Sequence, residues 1–149
     1  MNSEYKLILK QVEALISAES DPIANAANIS SLVYHAIDEV NWVGFYYLRS
    51  GELVLGPFSG QPACTRIPVG KGVCGTAFAS QETQVVADVH SFEGHIACDS
   101  ASESEVVVPF KTNKLSGVFD IDSPKLARFN ADEVELFEAT SRAYTNSLN

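Results

Sequence analysis

Two pairs of apolar, strand-prone runs, each pair joined by a short turn, constrain this chain more than any other feature. Trp42-Val43-Gly44-Phe45-Tyr46-Tyr47-Leu48 is aromatic and β-branched, and Arg49-Ser50-Gly51 separates it from Glu52-Leu53-Val54-Leu55. Such residues fit a pleated, packed surface, and a short glycine-bearing connection favours an antiparallel hairpin. Farther on, Glu105-Val106-Val107-Val108-Pro109-Phe110 and Leu115-Ser116-Gly117-Val118-Phe119-Asp120-Ile121 flank Lys111-Thr112-Asn113-Lys114, a second turn. These are read as central antiparallel strands.

Helical patterns bracket the strands. Tyr5, Ile8, Val12 and Leu15 recur at helical spacing, and Ser20-Asp21-Pro22 offers a cap followed by a proline in the first turn of a second helix, about Pro22 to Glu39. Asn130 can cap a last helix with Glu133 reaching back, and Val134, Phe137, Tyr144 and Leu148 keep one face mostly apolar, interrupted at Ser141. The pattern predicts an α+β layer fold with a central antiparallel sheet flanked by helices. One domain is expected over 1–149, with a helical N-terminus about 4–39, sheet and loops about 42–124 and a C-terminal helix about 131–147.

Composition excludes several classes of function. The 149 residues are 46% hydrophobic and 19% charged, a globular balance. No run approaches the roughly 20 apolar residues of a membrane span, and the first twenty residues carry charges through their apolar part. The expectation is no membrane association, no export signal and a cytoplasmic site. Ten Lys and Arg against nineteen Asp and Glu give a net charge of −9, with no two basic residues adjacent. That balance argues against nucleic acid, whose binding rests on neutralising phosphates.

Between the hairpins, Gly70-Lys71-Gly72-Val73-Cys74-Gly75 reads as a glycine-rich entry to a short helix running to Ser80, followed by a short strand over Gln84-Val85-Val86-Ala87. The glycines lack the spacing of a phosphate-binding loop, so a tight turn with close backbone packing is the better reading. A polar loop of about residues 88 to 104 follows, long for so small a domain, and carries His90, His95, Cys98 and Asp99.

Three constellations bear chemistry. The cysteines, Cys64, Cys74 and Cys98, are odd in number in a chain without an export signal, which favours reduced or reactive thiols over a structural disulfide framework. Cys98 and Cys64 fall in loops, and Cys74 is the one expected to be packed. The cysteines stand ten and then twenty-four residues apart with no C-x-x-C pair, so no metal site is expected. Glu105 opens one strand of the second hairpin, and Asp120 and Asp122 close the other. Their convergence could bind an ammonium group or keep one carboxyl protonated as a general acid; solvated strand ends are the alternative. Trp42 and Tyr46, four apart on a strand, share a side and could wall an apolar pocket or simply pack a core.

Taken together, NWVGFYYL, ELVLGPFSGQPAC, ACTRIPVGKGVCGTA, DVHSFEGHIACDSASESEVVVPF and GVFDIDSP resemble the GAF-domain free methionine-(R)-sulfoxide reductases over about residues 42 to 138. The resemblance implies a GAF-like domain that reduces free L-methionine (R)-sulfoxide without metal or organic cofactor. It implies Cys98 as nucleophile, Cys64 as resolving thiol and Cys74 as a third cysteine whose part in recycling stays open. It implies Glu105, Asp120 and Asp122 as polar pocket residues, Trp42 and Tyr46 as the wall around the substrate methyl group, and a thioredoxin-type reductant as partner. Phe119 and Glu103 depart from the family pattern; the first is a packing change, and the second adds a negative charge that could raise the Cys98 thiol pKa.

Other readings fit the same residues. A Cys–His hydrolase could use Cys98 with a histidine base. A GAF-like sensor could hold an amine ligand in the acidic and aromatic residues, and a thiol switch could use the disulfide without turnover. The apolar face of the first helix could meet its own sheet or a second copy in a homodimer.

Overall fold

The computed structural model describes residues 1–96 and 101–148. The chain runs α1 (Ser3–Ile16), α2 (Pro22–Ala36), β1 (Trp42–Arg49), β2 (Glu52–Gly60), β3 (Arg66–Pro68), α3 (Gly72–Ser80), β4 (Gln84–Val86), β5 (Ser104–Lys111), β6 (Ser116–Ser123) and α4 (Ala131–Ser147). The six strands form one sheet in the order β3-β2-β1-β6-β5-β4, and every neighbouring pair is antiparallel. Both hairpins are present and join side by side through β1 and β6. The edges are the three-residue strands β3 and β4, which leaves little unpaired backbone for another chain to extend. Ser50 and Gly51, at φ 51° and 83°, make the β1–β2 turn. Two left-handed residues give that turn the twist of the strands it joins.

The long strands are apolar on both faces because both faces are covered. Val43, Phe45, Tyr47, Val106, Val108, Phe119 and Ile121 point into a core shared with α1, α2 and α4. Trp42, Tyr46, Val107 and Val118 point the other way, against Val73, Cys74, Ala77 and Phe78 of α3. The sheet therefore divides a larger purely structural core from a smaller one that contains a cysteine and the site aromatics.

Three helix expectations are adjusted. The buried stripe of α1 is Ile8, Val12 and Ile16, stepping by four, so Leu15 is 43% exposed and Tyr5 only half-buried. The second helix stops at Ala36 rather than Glu39. Ile37 is extended and buried, and Glu39 takes a left-handed φ of 61° that turns the chain into β1. In α4 the capping box between Asn130 and Glu133 is formed, and Leu136 joins Phe137 and Tyr144 in the core while Val134 is half-buried. Glu133 is fully buried as well, taking hydrogen bonds from Tyr5 Oη and Arg128 Nη1 that satisfy its charge.

The long loop after β4 opens with a 3-10 turn over Val89–Ser91, capped by Asp88, and Ser104 already belongs to β5. Among the described residues no helix is long and apolar enough to cross a membrane.

Candidate active site

Strand register assembles the acidic cluster. β1 pairs with β6 so that Trp42 faces Asp122 and Gly44 faces Asp120, while β5 sets Glu105 opposite the same Asp122. Because side chains alternate along a strand, these residues and Tyr46 share the face beneath α3. Asp120 and Asp122 sit within β6, before its last residue Ser123, and are 4% and 9% exposed; Glu105 is 8% exposed. The solvated-end alternative is thereby excluded, and three carboxyl groups lie together away from water.

That burial has an electrostatic consequence. Removal from water, the neighbouring charges of Asp122 and Glu105, and hydrogen bonding with both push the Asp120 carboxyl well above the usual carboxylate range. The direction of that shift favours the protonated form of Asp120, and a proton it holds can be donated.

The aromatic side of the pocket is stacked. The Trp42 ring lies 5.9 Å from Tyr46 at 28° and 5.2 Å from Phe58 at 15°. It fits there because residue 44 is glycine: a Cβ at that position would stand 2.4 Å from Phe58 Cβ and 2.7 Å from the Trp42 ring. Both site aromatics also reach the segment after β2. Trp42 Nε1 donates to the Gln61 carbonyl at 3.1 Å, and Tyr46 Oη donates to the carbonyl of Cys64 at 2.8 Å. The wall of the pocket thus anchors the loop that carries a cysteine.

Cys74, in the first turn of α3, is 4% exposed and a free thiol. Its Sγ lies 3.5 Å from Asp120 Oδ2 and 3.9 Å from Glu105 Oε2. Burial first, and then the surrounding carboxylates, push this thiol well above its ordinary pKa, so it is a poor nucleophile as it stands. The glycines ahead of it serve close packing. Gly70 N donates to the Gly75 carbonyl at 2.9 Å, Gly72 has φ 64°, and a Cβ on Gly75 would stand 2.5 Å from the Pro68 carbonyl oxygen. Cys64 is half-buried and disulfide-bonded. Cys98, with Asp99, lies outside the described residues.

The loop after β4 covers the open side. His95 and Ile96 line the cavity together with Ala63, Ile67, Gly72 and Ser102. Glu103 does not project alone: its Oε2 lies 3.4 Å from His90 Nε2, its carbonyl accepts from Val89 N, and its N–H donates to the Ser123 carbonyl. It ties the loop down at its base. Sequence reasoning missed Ser102, Ile96 and Phe58 as site residues. A polar loop gives no periodicity to place the first two, and Phe58 reaches the tryptophan only through a bulge between Gly44 and Tyr46, which sets it against Gly44 where the register counted from the turn would not.

Comparison with known proteins agrees with this architecture. The GAF-domain family matches residues 25–149. Protein YtsP of Bacillus subtilis is 55% identical over 135 residues, covering 89% of this chain and 82% of that protein. The free methionine-R-sulfoxide reductase of Escherichia coli is 48% identical over 130 residues, covering 87% and 79%. The structure of the Staphylococcus aureus fRMsr in complex with its substrate superposes with a TM-score of 0.92 at 50% identity, covering 100% of this chain and 98% of that one. This chain belongs to the GAF-domain family, within the group of free methionine-R-sulfoxide reductases.

Proposed function

We propose that this protein reduces free L-methionine (R)-sulfoxide to L-methionine, using its own thiols and a thioredoxin-type dithiol as electron source. The observation that carries the reading is the buried Glu105–Asp120–Asp122 cluster facing the Trp42–Tyr46 wall beneath α3. Membership among these reductases adds the choice of sulfoxide and of the R epimer.

In this reading the substrate's α-ammonium is neutralised by the carboxylates of Glu105 and Asp122, and its S-methyl group rests on Trp42 and Tyr46. The Cys98 thiolate attacks the sulfoxide sulfur, and Asp120, held protonated, delivers its proton to the sulfoxide oxygen. The sulfur–oxygen bond breaks with transfer of that oxygen: methionine leaves reduced by two electrons and Cys98 becomes a sulfenic acid. Cys64 then attacks Cys98, water departs and a Cys64–Cys98 disulfide forms; an incoming dithiol reopens it by exchange. The disulfide-bonded state of Cys64 and the free state of Cys74 fit this division of labour. Cys74 stands aside from the electron path because a desolvated, protonated thiol attacks slowly.

Selectivity for the free amino acid follows from the same cluster. A peptide-bound methionine sulfoxide has no ammonium charge, so it would leave buried carboxylates without their counter-ion, a costly substitution.

The test couples the purified protein to thioredoxin, its reductase and NADPH. NADPH loss with the free R epimer, and none with the S epimer or an N- and C-blocked peptide, is the expected result. Cys98→Ser should abolish turnover, and Cys64→Ser should form methionine once per chain but not recycle with thioredoxin. Saturable binding of the amino acid with no NADPH loss, in a protein with reduced thiols and a working coupling system, would make it a sensor instead.

A further inference from the structure

In the reading above Cys74 has no step in the reduction, yet within the smaller apolar core its sulfur lies beside two carboxylate oxygens. Donor atoms of Cys74, Glu105 and Asp120 all lie within 4.8 Å of one another, and all three side chains are buried. The two sulfur–oxygen separations, 3.5 and 3.9 Å, are informative. A cation bound tetrahedrally at zinc-like distances, about 2.3 Å to sulfur and about 2.1 Å to oxygen, sets a thiolate sulfur and a carboxylate oxygen about 3.6 Å apart. The observed pair brackets that edge length. Independently, Asp120 Oδ1 is buried without a hydrogen-bond partner in a side chain 4% exposed that lines the cavity. A buried carboxylate oxygen left in that state has lone pairs available to a ligand.

We propose that Cys74, Glu105 and Asp120 form a binding site for one thiophilic divalent cation, Zn2+ by its chemistry, with the fourth coordination position turned toward the substrate cavity. One thiolate with two carboxylates favours zinc over magnesium or calcium, which prefer all-oxygen shells of higher coordination number. Binding displaces the thiol proton, so affinity rises with pH. The ligands come from α3, β5 and β6, with spacings of 31 and 46 residues from the cysteine. No local motif could have announced them. The cation and the amino acid's ammonium would share Glu105, so they exclude one another; that clause rests on the substrate reading above, and the cation site itself does not.

Cobalt(II) titration tests the site in the reduced Cys64→Ser/Cys98→Ser double variant, where Cys74 is the remaining thiol. The expected result is one Co2+ per chain with near-ultraviolet thiolate-to-cobalt charge-transfer absorption at mildly alkaline pH, displaced by Zn2+. On that background Cys74→Ala should abolish the band. Asp120→Asn should weaken binding by at least the about 10–100-fold that loss of an outer-sphere partner costs. Absence of the band with stoichiometric Co2+, or a band that survives Cys74→Ala, overturns the proposal. Excess free methionine sulfoxide should displace the metal. A cobalt complex with the band that the amino acid fails to displace would leave the cation site standing and count against the placement of the substrate.

Discussion

Tyr46 does two jobs with two parts of one side chain. Its ring stacks with Trp42 in the pocket wall, and its hydroxyl holds the carbonyl of Cys64. Tyr46→Phe keeps the first and removes the second, a hydrogen bond of about 1 kcal/mol. Methionine formed in a single turnover without thioredoxin should therefore stay near the wild-type rate, while closure of the disulfide slows severalfold; rapid quench with thiol trapping measures both. Asp120 is the other residue whose environment dictates a prediction. Its folded-state pKa is raised, so below about 3.9 both states are protonated and the group costs nothing. As pH rises past that value the unfolded chain ionises and the folded one does not, so the penalty on the native state grows. Asp120→Asn should melt with the wild type at acid pH and above it at neutral pH, while kcat falls about 10²–10⁴-fold for want of the proton. Much of this site is legible in the sequence: Asp120 with Asp122, and Trp42 with Tyr46, share a face because residues two or four apart on a strand must, and the β1–β6 and β5–β6 registers then bring Glu105 to them. The protonation state was not legible, since it depends on burial and on cross-strand neighbours.

The elements that aim these residues are short and rely on backbone approach. α3 enters through Gly70, Gly72 and Gly75, and Gly75 lies so near the Pro68 carbonyl that a Cβ would stand 2.5 Å from its oxygen. The neighbour is backbone, which cannot rotate aside. Gly75→Ala should push the first turn of α3, and Cys74 with it, away from β3. The expected cost is about 1–3 kcal/mol, the usual range for overpacking, with a rise in KM as the roof of the pocket lifts; chemical denaturation and steady-state kinetics measure the two effects. The hairpins, the glycine-rich entry to α3 and the capped α4 were readable because each is specified within a dozen residues by turn, cap and periodicity. Phe58 shows where such reasoning stops. Counting back from the Ser50–Gly51 turn pairs Tyr46 with Leu55, but the bulge beyond it sets Phe58 against Gly44 and so beside Trp42. A one-residue bulge in a strand with apolar side chains on both faces leaves no mark in the hydrophobic pattern.

At the scale of the whole molecule the sheet is a partition, and the two sides use tyrosine differently. Beneath the sheet, Tyr47 Oη and Tyr144 Oη lie 2.7 Å apart, and Tyr144 Oη donates to the Pro22 carbonyl at 3.0 Å, joining β1, α4 and the start of α2 inside the structural core. On the opposite face Tyr46 serves the site. Tyr144→Phe removes both hydrogen bonds and leaves the Tyr47 hydroxyl and the Pro22 carbonyl short of a partner, at about 1–3 kcal/mol. For a chain of this size each kcal/mol lowers Tm by about 2–4 °C. If the sheet isolates its two faces, that loss comes with unchanged kcat and KM for the sulfoxide. The alkaline limb separates the hydroxyls further. Burial pushes Tyr47 up to about 12 and Tyr144 higher still, so between about pH 10 and 12 the unfolded chain ionises these groups while the folded chain resists. Wild-type stability falls through that window, and Tyr144→Phe, with one such hydroxyl fewer, should fall less steeply, so its deficit in Tm narrows as pH rises. A drop in kcat/KM of more than about threefold in Tyr144→Phe at neutral pH, in protein that is still fully folded, would show that packing beneath the sheet sets the geometry above it.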